Sequence, residues 1–304
     1  MKHLAAHAPL AMLLCTVAGF LLPNVAETLL PLLPAILFFL MLFTLLGIEP
    51  RPLLRALASA AAWRFALWHV GILCLLLSSG FFLLGIRGDL LLAIAGIGAT
   101  APLFASGAMV RTVGHDALPA MAQTIAATLL MPWLLLIVFY ASGSGASLNL
   151  HAYTQKLLLY IAAPIVLAAL LRRYLPAATL ARLYPQIAQY NILLVLTFPF
   201  ALSGAFRRLY DAQGLIHALE LLAIALTIAV GGFFLTWLGY RRFGANVAVP
   251  AAITAGGRNV LLTLSIAGGY LGDQFLALAG AMQLPMFALP FLARLLFAPP
   301  PRRD

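Results

Sequence analysis

Acidic side chains are scarce in this chain: eight Asp and Glu stand among 304 residues, and all charged residues together make 9%. A soluble domain carries about a quarter of its residues charged, so too little polar surface exists here to wrap a globule in water. Cysteine is nearly absent as well. Cys15 and Cys74 lie inside apolar runs without Cys-x-x-Cys or Cys/His spacing, which excludes a disulfide framework and a structural zinc site. Also missing are an HExxH run, paired aspartates and a P-loop Lys-Ser/Thr. These absences argue against an intramembrane hydrolase and against ATP-driven transport by this chain alone. No connecting segment exceeds about 16 residues, which leaves no room for an appended soluble domain.

What fills the chain instead is hydrocarbon. Apolar residues make 64% of it and the mean hydropathy is +1.05, the composition of an all-α polytopic membrane protein. Charge, Pro and Gly divide the apolar sequence into ten expected spans, near 8–22, 29–48, 65–86, 90–113, 119–141, 156–171, 187–206, 215–238, 247–268 and 274–297. The segment Met1 to Leu22 has the charge and core of a signal peptide. It shows no clear small-x-small cleavage site and reads as the first span.

The formal charge of +10 is spread over short loops rather than one basic element, so it reads as topology and not as a nucleic-acid surface. Lys2, Arg51, Arg55, Arg64, Arg111, Arg172, Arg173, Arg182, Arg241, Arg242, Arg294, Arg302 and Arg303 fall on the side of the termini. Arg87, Lys156, Arg207 and Arg208 fall on the other. Cytoplasmic loops hold the excess of Lys and Arg, which puts both ends in the cytoplasm, at a bacterial inner membrane. Arg258 belongs to neither side. It falls near the middle of the ninth span.

The halves repeat. Pro23 and Pro176 are 153 residues apart, as are Pro132 and Pro285, and the Ala105-Ser106-Gly107 run of the fourth span corresponds within three residues to Ala255-Gly256-Gly257 of the ninth. Two five-span units, 1–150 and 151–304, enter the membrane in opposite senses because five is odd. In such inverted repeats, substrate and ion sites lie near the midplane at interrupted helices. The interruptions here are GIGATAPLFASGAMVRT, from Gly96, and VPAAITAGGRNVLLTLSIAGG, from Val249. Pro102 and Pro250 each remove a backbone donor there, and the glycines loosen the helix. Alternatively, the glycines serve close helix packing.

With the opening GFLLP…LLPAILFFLMLFTLLGIEP (Gly19 to Pro50) and these two interruptions, the chain resembles the bile acid:sodium symporter family. The resemblance implies crossed broken helices in spans four and nine. It also implies a core of spans 3–5 and 8–10 moving against a panel of spans 1–2 and 6–7, and sodium behind the crossing. Carried over residue by residue, it implies sodium or substrate contacts at Ser106, Gly107, Thr124, Thr128, Thr254, Gly256, Gly257, Arg258 and Asn259, with sodium oxygens from Ser106, Thr124 and Thr254. Gly256 and Asn259 match the family pattern. Thr254 stands where the family has Glu and Arg258 where it has Gln, Gly107 or Ala108 replaces an Asn, and Ala120 replaces a Ser. In span three only Ser78 and Ser79 stand in for a Gln. A guanidinium a few ångströms from a sodium ion would cost several kcal/mol, which argues against classical two-sodium coupling.

Arg258 is therefore read as a substitute for the bound cation, attracting an organic anion or pairing with a carboxylate, or else as part of a structural ion pair. Glu220 is the candidate partner, with His217 three residues before it. The two form either a proton relay or a surface pair. His69 reads as a packing histidine, and Gln189, Tyr190 and Asn191 as lining a substrate cleft between the two domains. The expected function is a secondary transporter of a small organic anion, with no cofactor beyond a candidate sodium ion and no nucleic-acid partner. The sequence is silent on oligomeric state.

Overall fold

A computed structural model describes residues 8–143, 145 and 148–297. Lys2, Arg302 and Arg303, three of the residues used to orient the chain, lie outside the described residues. The described chain is all-helical, with no strand. Twelve helices are used below: α1 Ala8–Leu21, α2 Pro23–Leu46, α3 Pro50–Leu57, α4 Ala60–Leu83, α5 Gly88–Gly98, α6 Ser106–Thr112, α7 Ala117–Ala141, α8 Leu150–Tyr174, α9 Ala177–Tyr240, α10 Ala245–Gly256, α11 Val260–Ala267 and α12 Gln274–Phe297.

Six helices are long and apolar enough to cross a membrane: α2, α4, α7, α8, α9 and α12. The bent pair α10 and α11, with its 42° break, makes a seventh. An apolar stretch of 66 residues covers α9, about 100 Å of straight helix and roughly three times a hydrocarbon thickness. The chain is divided there by Gly214, whose φ of 83° and ψ of 178° no helix contains. Only glycine adopts that conformation without strain. The stretches on either side, 177–213 and 215–240, cover the expected seventh and eighth spans. Gly244, at φ 90°, makes the corresponding turn into α10.

Several element boundaries differ from those read in the sequence. The second helix begins at Pro23 rather than near 29, because proline at the first helical position lacks only an amide that has no partner there. The sixth extends over 25 residues from Leu150, capped by Asn149, whose side chain accepts from the Ala152 amide at 3.0 Å. In the fourth region the backbone leaves the helix at 99–105, around Pro102. Ser106 and Gly107 already belong to α6. The ninth breaks at 257–259, after Pro250, which is accommodated inside α10.

Side-chain packing joins distant helices into one apolar core. Phe65, Ile97, Met131, Phe233, Ile253, Leu262 and Phe287 are all essentially without solvent contact. The outer faces carry exposed Leu14, Leu75, Trp133, Ile137, Ile216 and Leu295, the surface expected of helices that face lipid tails.

Candidate functional site

The two interruptions meet. The Asn259 amide donates to the Ala101 carbonyl at 2.8 Å, tying the α10/α11 break to the α5/α6 break through main chain alone. Beside it, the Thr100 and Thr263 hydroxyl oxygens lie 2.7 Å apart. Thr100 also reaches the Gly96 carbonyl at 2.8 Å, and Thr263 reaches Met131 Sδ at 3.7 Å. Asn259 also caps α11, its Oδ1 accepting from the Leu262 amide at 3.3 Å, the usual work of Asn at that position. Its Nδ2 is buried without a partner.

Arg258 occupies the centre of this crossing and has no solvent contact. Its Nη1 donates to the Gly98 carbonyl at 2.8 Å and lies 3.2 Å from the Thr100 carbonyl and 2.9 Å from His69 Nε2. Its amide faces Met286 Sδ at 3.1 Å. Nε and Nη2 have no partner. Among the described residues the ion pairs are Arg207–Asp211, Arg208–Glu27 and His217–Glu220; none involves Arg258.

A buried cation without a carboxylate needs another source of negative potential. Helix C-termini supply it. The last carbonyls of a helix lack intrahelical partners and carry roughly half a negative charge between them. α5 ends at Gly98, whose carbonyl the guanidinium binds, and α10 ends two residues before Arg258. The α5 end thus supplies roughly half a compensating charge directly to the guanidinium.

His69 reaches the guanidinium from a stretch of α4 that is locally underwound into a π-helix, Leu67–Ile72, a local irregularity often found at functional sites. Its ring stacks on Phe65 at 5.5 Å and 14°, and Nδ1 has no partner. It is buried and packed as the sequence reading expects, with Nε2 also 3.1 Å from the Thr100 carbonyl, and it lies in addition against Arg258. Trp68, on the same stretch, donates to Thr236 Oγ1 at 2.9 Å and pins α4 to the second stretch of α9.

The other expected site residues fall into three groups. Ser106, Thr124, Thr128 and Thr254 are buried, and each hydroxyl donates to a carbonyl of the preceding turn: Leu103, Ala120, Thr124 and Pro250. No hydrogen bond among the described residues joins these hydroxyls to one another. Gly107 and Gly256 serve close approach. A Cβ on Gly107 would lie 2.7 Å from Met121 Sδ, and one on Gly256 would lie 2.3 Å from Leu289 Cδ1 and 2.9 Å from the Ala229 carbonyl. Gly257 leaves ordinary contact with Leu103.

The third group lies away from the crossing. Glu220 does not partner Arg258; it pairs with His217 at 3.0 Å, its side chain about half exposed. His217 lies three residues after the Gly214 turn and also faces Gln274, at 3.4 Å. Asn191 donates to Thr44 Oγ1 on α2 at 3.3 Å and keeps a buried Oδ1 without a partner. Gln189 is half-buried, whereas Tyr190 is exposed. Sequence reasoning missed Thr100, Thr263, Met286 and Gln123. Gln123 is buried on α7 with Oε1 unpartnered. Its signal was available, since a glutamine in an apolar span next to Thr124 is a polar group that burial must explain.

The Gly98 and Thr100 carbonyls face the Arg258 guanidinium, whereas the hydroxyls that the family resemblance implies for sodium, on Ser106, Thr124 and Thr254, each donate to a carbonyl three or four residues earlier in the chain. No protein-family model matches the chain, and no curated protein matches it significantly.

Proposed function

We propose that the chain is a secondary active transporter that moves a small organic anion across the bacterial inner membrane by alternating access. The observation that carries this reading is the main-chain bond between two helix interruptions at 101 and 259. Non-helical backbone at membrane depth is tolerated where protein or an aqueous cavity surrounds it, and crossed interrupted helices are how many carriers build a midplane site.

Ten spans in two inverted halves, 1–150 and 151–304, are part of the proposal. The six long helices, the bent pair, the division of α9 at Gly214, the short α1, and α5 with α6 taken as one broken span add up to that number. Pro23 opens α2 and Pro176 caps α9, which supports equivalent places in the two halves. The excess of basic residues on one side supports cytoplasmic termini.

Panel and core are supported by packing. Within the panel, Arg172 of α8 donates to the Leu46 and Ile48 carbonyls at 2.6 Å each, Asn191 bonds Thr44, and α1 approaches the Phe200 carbonyl at Gly19. Within the core, His69, Gly98, Gly232, Arg258 and Met286 surround one point. The anion reading is supported by the field of the fixed positive charge at the crossing, which no carboxylate among the described residues neutralises.

Counterflow tests the proposal. Proteoliposomes preloaded with unlabelled carboxylates or sulfonates should take up the labelled counterpart faster than empty ones, for at least one member of the panel. Folded protein that shows no trans-stimulation with any member, while neutral or cationic solutes exchange, would reverse the anion assignment.

A further inference from the structure

We propose that Arg258 is a tethered cation that does permanently, at the crossing, what a dissociable metal ion would do. The crossing is thereby held together without any ion from solution. Three observations meet here. The guanidinium is fully buried with no carboxylate partner among the described residues. Its Nη1 binds the free carbonyl at the end of one half-helix and lies within hydrogen-bond distance of a second carbonyl in the same break. Its own backbone belongs to the break of the other half-helix, immediately past the end of α10. The charge therefore sits at the C-terminus of α5, where a cation is favoured, and covalent attachment to one interruption lets it bridge to the other.

The same contacts assign Arg258 a positioning role rather than contact with the solute. Every group around it belongs to the core: His69 on α4, Gly98 at the end of α5, Gly232 on the second stretch of α9, and Met286 on α12. A Cβ on Gly232 would stand 3.8 Å from Nη2 and 3.5 Å from Leu73, so protein closes that side. By holding α4, α5 and α11 to one charge, Arg258 makes the core move as one body. That last consequence rests on the carrier reading; the cation site itself does not.

The test uses thermal unfolding of the purified full chain in detergent, which needs no transport. Arg258→Ala removes the cation and leaves its cradle of carbonyls, so added methylguanidinium, sodium or potassium should raise the melting temperature of that variant by a few degrees. The wild-type chain should not respond relative to choline. Arg258→Lys, which retains a charge, should melt above Arg258→Gln, which has none. If the alanine variant ignores every cation and the lysine and glutamine variants melt together, the proposal is overturned. Where the alanine variant does not fold, the lysine–glutamine difference and the wild-type sodium titration still decide. A wild-type melting temperature that rises specifically with sodium also overturns it. Failure of the carrier reading would show in counterflow and leave these melting results unchanged.

Discussion

Asn259 donates its backbone amide to the carbonyl of Ala101 at 2.8 Å, and the same residue caps the helix that follows with its side chain. One residue thus joins the two interruptions and starts α11. The two roles separate on mutation, because the backbone bond survives a side-chain change. Asn259→Ala should lower stability by about 1 kcal/mol through loss of the cap. Asn259→Asp, which keeps an accepting oxygen and adds a negative charge next to Arg258, should lose less. Thermal unfolding in detergent checks the order. An alanine variant as stable as the aspartate variant contradicts it.

Close helix packing predicts a graded glycine series. Gly256→Ala and Gly280→Ala would place a methyl group 2.9 Å from the Ala229 carbonyl and 2.2 Å from the Leu202 carbonyl, respectively. Backbone atoms cannot rotate away, so each should destabilise by about 1–3 kcal/mol. Gly80, on α4, has nothing within 4 Å of an added Cβ, and Gly80→Ala should be neutral or up to about 1 kcal/mol stabilising. Melting temperatures of the three variants test the ordering.

His69→Phe keeps a flat ring against Phe65 while removing the nitrogen that lies 2.9 Å from Arg258 Nη1. Nε2 also lies 3.1 Å from the Thr100 carbonyl; in the tautomer protonated at Nδ1 it accepts from Arg258, and its loss should cost about 1.5–3 kcal/mol. Recovery in a His69→Phe, Arg258→Gln double variant, relative to the sum of the single losses, is the expected coupling. Strict additivity would show that the ring acts by packing alone.

Glu220→Gln should leave counterflow rates within about twofold of wild type. Its carboxylate is half exposed and paired only with His217, so its removal touches neither the crossing nor Arg258. A loss beyond tenfold would place Glu220 in the coupling machinery and restore the proton-relay reading.

Hydropathy and basic residues located the long apolar helices well, because burial in hydrocarbon constrains composition over about 20 residues at a time. Local geometry was less legible. The fourth region breaks at 99–105, around the Pro102 that the sequence singles out, and of the expected Ala105-Ser106-Gly107 run only Ala105 lies in the break, Gly107 serving contact with Met121 instead. Arg258 stood out as a basic residue far from any boundary, but its partners did not. They are the carbonyls of Gly98 and Thr100, which any residue carries, and His69, aimed by a π-helical turn that no hydrophobic period reveals. Searching for a carboxylate led instead to Glu220.

Sodium titration of counterflow tests the account most directly. With the best solute of the carboxylate and sulfonate panel, exchange in sodium-free choline buffer should run at full rate and stay flat as sodium is added, because the positive charge at the crossing is already covalently in place. Exchange that is absent without sodium and rises cooperatively as sodium is added would contradict it.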